Sequence, residues 1–469
     1  MSRAAHPAGP RYADVLPTSG IGGPPADLNA LDPKVWPITA ARDEESGQLT
    51  LGGLGVRELA QRQGTPAYVL DEADWRRRAQ TWLAAFGEFD RETPPVHYAG
   101  KSFLSKAVAR WAAEEGLGLD VCSGGELAVA LAAEFPGHRI TFHGNNKTVD
   151  ELVRALDAGV GRFVVDSQQE IERLAALAAE RGIVAQVMVR VTVGVEAHTH
   201  EFIATAHEDQ KFGFSLVGGE AAEAVRRVFK HNGALELVGL HSHIGSQIFD
   251  TAGFETAAHR AVGLLAQIRE EHGIVLAELD LGGGLGIAYT SEDDPQDAFS
   301  IVAALKAIVA RECFGYRLPT PRITVEPGRA ISGPPGITLY EVGTIKPLEG
   351  LRTYVSVDGG MSDNIRTALY DAAYTCVLAS RTSEAEPMLA RVVGKHCESG
   401  DIVVKDVWLP ADVAPGDLLA VAATGAYCRS MASNYNHALR PPVLAVSDGA
   451  ERVLLRRETE EDLLALDLG

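Results

Sequence analysis

From residue 96 onward the sequence alternates between two patterns, a short apolar run of β-forming residues and a longer segment with helical periodicity. Many helical segments open on Ser, Thr or Asp and close near Gly, as capped helices do. Eight repeats of strand and helix favour a closed (β/α)8 barrel, a TIM-type barrel, over an open doubly wound sheet. The predicted strands are Val96–Ala99, Gly118–Val121, Ile140–His143, Phe163–Val165, Gln186–Val191, Leu237–Ile244, Glu278–Leu281 and Ile323–Val325.

The chain on either side of these repeats has a different character. Its first residues are rich in Pro, Gly and Ala and lack periodicity, so we expect a mobile extension there. After Gly336, β-type runs follow one another without regular helices, which predicts a second, mostly β domain. The predicted division is an extension over 1–33, N-terminal strands and a helix joining the β domain over 34–70, the barrel over 71–335 and the C-terminal β-rich domain over 336–469.

The composition limits the kinds of partner. The 469 residues are 46% hydrophobic, enough for a large core and more than one domain. With 63 acidic against 43 basic residues, the net charge of −20 argues against nucleic-acid and membrane partners. The five cysteines are scattered and lack C-x-x-C spacing, which indicates neither a disulfide framework nor a zinc site. Without a membrane-length apolar run or a signal peptide, we expect a cytoplasmic protein.

In a barrel of this kind, reactive groups gather at the carboxyl ends of the strands. Lys101 follows strand one, and a lysine half-screened by apolar neighbours can lose its proton and add to an aldehyde as a Schiff base. Glu326 follows strand eight, which lies beside strand one in a closed barrel, so we expect these two residues to be neighbours. The other polar or glycine-rich strand ends are Asp120–Glu126, His143–Lys147, Arg190, His241–Ser246 and Gly282–Gly286.

Together these strand ends match the needs of an aldehyde cofactor that carries a phosphate and a ring nitrogen. Such a cofactor needs a lysine, a glycine phosphate cradle, a carboxylate for the ring nitrogen and a flat group that stacks on the ring. These four needs are met in turn by Lys101, Gly282–Gly284, Glu326 and His243. A dinucleotide interpretation of Gly282–Gly286 is weaker, because the spacing differs from G-x-G-x-x-G and the glycines follow strand seven.

The histidines do not favour a metal site. We place His241 and His243 on opposite faces of strand six, so that only one of them would line the barrel interior. The loop from Gly194 to Asp209 holds further histidines, but no cysteine or helical histidine pair supports zinc there. A mobile lid over the barrel mouth is the preferred interpretation of this loop. Its histidines are His198, His200 and His207.

At three of these motifs the chain resembles a known family, the alanine-racemase-like pyridoxal-phosphate decarboxylases, and within it the diaminopimelate decarboxylases. The motifs are Tyr98-Ala-Gly-Lys101, His241-Ser-His-Ile-Gly-Ser-Gln247 and Glu326-Pro-Gly-Arg329, and the resemblance covers nearly everything after residue 35. It implies that Lys101 holds pyridoxal 5'-phosphate covalently, that His243 stacks on its ring and that Glu326 pairs with the ring nitrogen. The other cofactor contacts that it implies are Asp120, Ser246, Gly284, Pro327, Gly328, Arg329 and Tyr427.

Three stretches of the β-rich domain carry side chains suited to a substrate. Arg366 and Tyr370 lie four residues apart and can clamp a carboxylate if that turn is helical. Cys397 lies beside the carboxylate of Glu398, and Tyr427 lies on a glycine-flanked turn. Each of these features alone is more often structural.

All three stretches resemble diaminopimelate decarboxylase motifs. By this resemblance, Cys397 donates a proton to the α-carbon, Glu398 binds the distal amine of the substrate, and Tyr427 contacts cofactor and substrate. The residues that it implies for the distal carboxylate are Arg329, Arg366 and Tyr370. The chain departs from the family at Thr367, where the usual residue is proline, and this departure bears on the rigidity of the loop.

The resemblance implies a head-to-tail homodimer that decarboxylates meso-2,6-diaminopimelate to L-lysine, the last step of lysine biosynthesis. The Cys397 segment of each subunit would enter the barrel of the other, so that the active site is shared. An ornithine- or arginine-type decarboxylase stays open as an alternative, because it would share the whole barrel. An amino-acid racemase would need a second base on the other face of the ring. A non-catalytic cofactor carrier is least favoured, since it would not need Arg366, Cys397 and Glu398.

Overall fold

The computed structural model describes residues 22–194 and 211–469, which form two compact units. The barrel unit contains the described residues of Arg76–Gly286 and Pro295–Ile331, and the β-rich unit contains those up to Trp75, Ile287–Asp294 and Ser332–Gly469. Most of the predicted extension, and the part of the predicted lid that carries His198, His200 and His207, lie outside the described residues. The domain boundaries expected at residues 33, 70 and 335 stay a prediction.

The barrel unit confirms the predicted fold class. Within the described residues, eight parallel strands pair in sequence order, and a parallel bridge between Val96 and Val325 joins the last strand to the first. A short strand, Phe214–Ser215, pairs beside the fifth. This closed ring excludes the open doubly wound sheet. Strands one to eight are His97–Ala99, Gly118–Val121, Ile140–Phe142, Arg162–Val165, Ala185–Thr192, Leu235–His241, Glu278–Asp280 and Arg322–Thr324.

Local side-chain chemistry explains where several helices of the barrel begin. Ser105, Ser123 and Ser167 each accept a hydrogen bond from the backbone N–H three residues ahead, and so cap a helix. Thr148 and Glu151 form a reciprocal capping box at another.

In the part of the chain that the structure describes, no helix has the length and apolar character needed to cross a membrane. The helices are Glu72–Phe86, Lys106–Glu115, Gly124–Ala132, Val149–Asp157, Gln168–Glu180, Glu220–Lys230, Ala252–His272, Ala298–Tyr316 and Arg329–Ser332, with single turns at Gly100–Ser102 and Gly137–Arg139.

The β-rich unit is built around one long strand, Gly336–Leu348, in a nine-stranded sheet. The antiparallel partners of this strand are Ala67–Asp71, Arg352–Val357 and Leu418–Val421. Leu49 and Val69 are fully buried in the same apolar cluster as Ile337 and Leu444, so early and late segments of the chain share this core. The other strands are Ala41–Arg42, Leu49–Leu51, Leu54–Gly55, Cys376–Leu378, Pro387–Val393, Ile402–Pro410, Val443–Ser447 and Ala450–Leu455, and the helices are Val56–Gln63, Arg366–Tyr370 and Glu460–Leu464.

A buried ion pair links the loop after strand three to the helix after strand four. Lys147 Nζ lies 2.6 Å from Glu170 Oε1, and both side chains are almost fully buried. The same ammonium donates to the carbonyl oxygens of Gly144 at 2.9 Å and Val164 at 2.7 Å. These three contacts give the buried ammonium group of Lys147 an acceptor for each of its hydrogens, as a buried charge requires.

Glu170→Ala is expected to lower the free energy of unfolding by about 3–5 kcal/mol, because it leaves the buried Lys147 charge without its carboxylate. Chemical denaturation of the full chain, followed by circular dichroism, measures this change. The matched control is the pair of Lys405 and Asp371, whose side chains are 43% and 65% exposed. Lys405→Ala should change the free energy of unfolding by less than about 1 kcal/mol. Equal effects of the two substitutions would contradict the importance of burial.

Candidate active site

The carboxyl ends of the barrel strands surround a cavity of about 300 Å³. This volume is at the small end of the range for small-molecule sites. Lys101 and Glu326 both line the cavity, as expected from closure of the barrel. Other predicted residues in its wall are Asp120, Arg190 and His243. Wall residues to which the sequence assigned no role include Cys122, His143 and Phe212.

Lys101 lies in a tight turn, Gly100–Ser102, directly after strand one. The Ser102 hydroxyl donates to the Ala99 carbonyl oxygen at 2.8 Å, which ties the turn to the end of the strand. A Cβ at position 100 would lie 2.8 Å from the carbonyl oxygen of Asp120, so the close approach of strand two requires glycine there. The turn therefore presents the lysine to the cavity from a fixed backbone.

Glu326 is a buried carboxylate among histidines. Its Oε1 lies 3.0 Å from His241 Nε2 and 3.3 Å from His143 Nε2. Burial raises the pKa of Glu326, but the charges of His143 and His241 outweigh burial and hold the pKa well below its usual range. Burial lowers the pKa of His143, yet Glu326 and Asp120 raise it above its usual value. The cavity therefore contains an ionised carboxylate, which is suited to hold a proton on a ring nitrogen.

His241 and His243 both line the cavity, so the expectation that only one would do so is wrong. Side chains two residues apart point to the same face of a strand, and strand six ends at His241, so His243 lies in the loop that follows. Burial and the nearby Lys101 hold the pKa of His243 well below its usual value. Its Nδ1 accepts a hydrogen bond from Gly283 N–H at 3.1 Å, which orients a neutral imidazole. Because His241 contacts Glu326, both imidazoles have protein partners.

Glycines bring the loops at the barrel mouth into close contact. A Cβ at Gly284 would lie 2.1 Å from the carbonyl oxygen of Gly245, and a Cβ at Gly328 would lie 2.9 Å from a side chain of strand one. Arg329 Nη2 donates to Ser246 Oγ at 2.9 Å and joins the loops after strands eight and six. Backbone N–H groups can approach an anion in such a cradle. With the lysine, the anionic carboxylate and the neutral imidazole, the cradle fits pyridoxal phosphate.

Arg190 is held at the cavity wall by contacts that no local sequence pattern signals. Its guanidinium lies 3.7 Å from Asp166 and 4.3 Å from the centre of the Phe212 ring. The Asp166 carboxylate also accepts a hydrogen bond from Gly213 N–H at 2.5 Å. These contacts make Phe212 part of the cavity wall.

In the β-rich unit, Arg366–Tyr370 forms a short helix, which is the condition that the carboxylate clamp required. Arg366 is buried, and its Nη1 donates to the Tyr374 hydroxyl at 2.6 Å. Thr367 occupies the position where the family usually has proline. Its hydroxyl donates to the Val403 carbonyl oxygen at 2.9 Å and so anchors the helix to a neighbouring strand.

Cys397 and Glu398 lie on an exposed loop of the same unit. Asp401 closes the base of this loop, because its Oδ2 accepts a hydrogen bond from His396 N–H at 2.8 Å. The Tyr435 hydroxyl donates to Glu398 Oε2 at 3.2 Å. The loop therefore presents a thiol and a carboxylate outward from a fixed base.

The structure places the predicted site residues in two groups. Those in the barrel unit are Lys101, Asp120, His243, Ser246, Gly284, Glu326, Pro327, Gly328 and Arg329. Those in the β-rich unit are Arg366, Tyr370, Cys397, Glu398 and Tyr427, the last with a φ of +59° that few residues other than glycine adopt.

Comparison with known proteins identifies the family. A family model described as "Pyridoxal-dependent decarboxylase, pyridoxal binding domain" matches residues 72–333. Diaminopimelate decarboxylase of Mycobacterium tuberculosis is 59% identical over 450 residues, which cover 94% of this chain and 99% of that enzyme. The Bacillus subtilis enzyme of the same name is 46% identical over 428 residues, covering 91% of this chain and 97% of that enzyme.

A solved structure gives the same result. Diaminopimelate decarboxylase from M. jannaschii, in complex with L-lysine, has a TM-score of 0.85 and 32% sequence identity. The match covers 92% of this chain and 98% of that one. The cofactor expected from the strand ends is that of the matching family model. The chain therefore belongs to the diaminopimelate decarboxylases, within the pyridoxal-dependent decarboxylase family.

Proposed function

We propose that this protein decarboxylates meso-2,6-diaminopimelate to L-lysine and carbon dioxide, the last step of lysine biosynthesis, with pyridoxal 5'-phosphate as cofactor. The observation that carries the proposal is the barrel cavity, which is lined together by Lys101, Glu326 and His243. The names of the relatives at 59% and 46% identity support the substrate. The solved relative holds L-lysine, the product of this reaction.

Bound pyridoxal phosphate supplies an electron sink for the electron pair that the departing carboxylate leaves on the α-carbon. Lys101 would hold the cofactor covalently in the absence of substrate. The anionic Glu326 would keep the ring nitrogen protonated, and the neutral imidazole of His243 would pack against the ring. The residues that we assign to the phosphate and its surroundings are Ser246, Gly284, Pro327, Gly328 and Arg329, with Asp120 and Tyr427 as further cofactor contacts.

Most of the substrate contacts that we propose come from the β-rich unit, and Arg329 comes from the barrel unit. Diaminopimelate differs from simple diamino acids by its distal carboxylate, so a selective site needs a distal cation. The residues that we assign to this carboxylate are Arg329, Arg366 and Tyr370. Glu398 binds the distal amine, Tyr427 contacts the substrate, and Cys397 protonates the α-carbon. The buried position of Arg366 and its contact with Tyr374 support the assignment.

We also propose a head-to-tail homodimer in which Cys397 of each subunit completes the barrel site of the other. Lys101 belongs to the barrel unit, whereas Cys397 is exposed on the β-rich unit, and this separation supports a shared site. None of the five cysteines, all of which lie in the described part of the chain, forms a disulfide, which fits the reducing cytoplasm where we place the protein. The net charge of −20 supports the expectation that neither nucleic acids nor membranes are partners.

A panel of diaminopimelate, lysine, ornithine and arginine, assayed with added cofactor, tests the substrate. We expect L-lysine and carbon dioxide from diaminopimelate, and rejection of the other amino acids by about 10⁴-fold. The reason is that a buried arginine left without its carboxylate is strongly penalised. Arg366→Ala should therefore remove most of the activity on diaminopimelate. It should also reduce the preference of the enzyme for diaminopimelate over the other amino acids.

The matched control for this substitution is Arg381→Ala. Arg381 lies in the same unit, but it pairs with Asp412 and Asp417, so its loss should leave the substrate preference unchanged. Release of carbon dioxide separates the proposed reaction from a racemase and from a carrier. Equal turnover of ornithine and diaminopimelate by the unmodified protein would favour the ornithine- or arginine-type decarboxylase instead.

A further inference from the structure

Strand three delivers a histidine to the centre of a buried charged cluster. His143 is 8% exposed, and its Nε2 lies 3.3 Å from Glu326 Oε1 and 3.4 Å from Asp120 Oδ1. His241 approaches the same oxygen of Glu326 from strand six, at 3.0 Å. One nitrogen of His143 therefore lies between two carboxylates.

Asp120 depends on imidazoles for its charge balance. It is 6% exposed, and neither of its carboxylate oxygens has a hydrogen-bond partner in the described part of the chain. Asp120 Oδ1 lies 3.4 Å from His143 Nε2 and 3.4 Å from His97 Nδ1. The Thr141 hydroxyl lies 3.0 Å from the same nitrogen of His97. Carboxylates on both sides of His143 favour its cationic form, since an opposite charge within about 4–6 Å stabilises the charged state.

Glu326 needs such a cation. A buried carboxylate without one tends to keep its proton, and burial alone raises the pKa of Glu326. The charge of His143 opposes the effect of burial, and His241 opposes it both by its charge and by a hydrogen bond. The other charged or titratable groups around the cluster are Lys101, Arg190, His243 and Asp280. His143 and His241 therefore act together to keep Glu326 ionised.

The backbone that carries His143 is also well anchored. Its N–H donates to the Val121 carbonyl oxygen at 2.8 Å. The carbonyl oxygen of the next residue, Gly144, accepts a hydrogen bond from the buried Lys147, which pairs with Glu170. The imidazole is therefore held in position before any ligand binds, as a preorganised site requires.

We propose that His143 is a positioning residue that keeps Glu326 ionised and aimed at the ring nitrogen of the cofactor, while Asp120 holds His143 in its cationic form from the other side. The inference rests on the proposed pairing of Glu326 with that nitrogen. A neutral side chain at position 143 leaves Glu326 protonated for part of the time. Its hold on the proton of the ring nitrogen then weakens.

The test compares the binding of pyridoxal phosphate with that of an analogue in which a CH group replaces the ring nitrogen. Only pyridoxal phosphate can form an ion pair with Glu326, so its advantage over the analogue measures that contact. Absorbance titration of the cofactor-free full-length protein gives both affinities. We expect His143→Gln to reduce the preference for pyridoxal phosphate by about tenfold. His143→Phe, which keeps a flat ring, should reduce it at least as much and carries the test if the glutamine variant does not fold.

The controls separate this inference from the proposal on which it rests. His138→Gln removes a half-exposed histidine that pairs with Glu92, and it should leave the preference unchanged. Glu326→Gln should abolish the preference, and adding His143→Gln to it should have no further effect. Equal losses for both cofactors, or an unchanged preference, in the His143 variants would overturn the inference. Full preference in Glu326→Gln would show that the pairing of Glu326 itself is wrong, and the inference would fail with it.

Discussion

Lys101→Ala is expected to abolish covalent attachment of the cofactor and to lower the decarboxylation rate by about 10⁴-fold, the upper end for loss of a proton-transfer group. The effect is large because the same amine also forms the covalent link. Lys211 also lines the cavity, whereas Lys101 lies on a turn that is tied to the end of strand one. Borohydride reduction followed by peptide mapping locates the attachment, and the steady-state rate measures the loss.

Lys106→Ala is the matched control for this substitution. Lys106 is the first residue of the helix Lys106–Glu115, close in sequence to Lys101 but not in the cavity wall. Its loss should change neither attachment nor rate. If reduction fixed the cofactor to Lys106 or to Lys147, the assignment of Lys101 would be wrong.

Mixing two inactive variants, Lys101→Ala and Cys397→Ala, should restore about a quarter of the wild-type activity when the subunits exchange freely. Random exchange makes about half of the dimers mixed, and each mixed dimer regains one intact site of two if the site is shared between chains. The prediction is motivated by the location of the lysine in the barrel unit and of the exposed thiol in the β-rich unit. Activity is measured after mixing, with exchange followed by fluorescence transfer between labelled subunits.

A second mixture provides the control for this experiment. Lys101→Ala and Glu326→Gln both damage the same barrel cavity, so a mixed dimer contains no intact site and activity should not return. Recovery in this mixture would show that the assay does not report site sharing. Absence of recovery with Cys397→Ala, despite proven exchange, would place Lys101 and Cys397 in the site of one chain.

Much of the fold could be predicted because its causes act over short distances. Gly118–Val121 begins and ends where the sequence pattern places it. Apolar runs and serine caps involve residues only a few positions apart, so the linear sequence contains the information that they need. Strand six was expected to reach Ile244 but ends at His241. Its pairing with strands five and seven stops at Arg190 and Asp280.

The chemistry of the site could also be predicted from the sequence in part. The sequence alone predicted a barrel and an amine, a carboxylate and glycines at its strand ends, because position along each repeat determines which end of the barrel a residue reaches. It did not indicate that His143 would lie between Asp120 and Glu326, or that Phe212 would stack on Arg190. The contacts of His143 join residues from different repeats, and Phe212 follows the strand that carries Arg190. They depend on closure of the barrel and on the depth of each side chain, and burial together with neighbouring charge then sets the ionisation of Glu326.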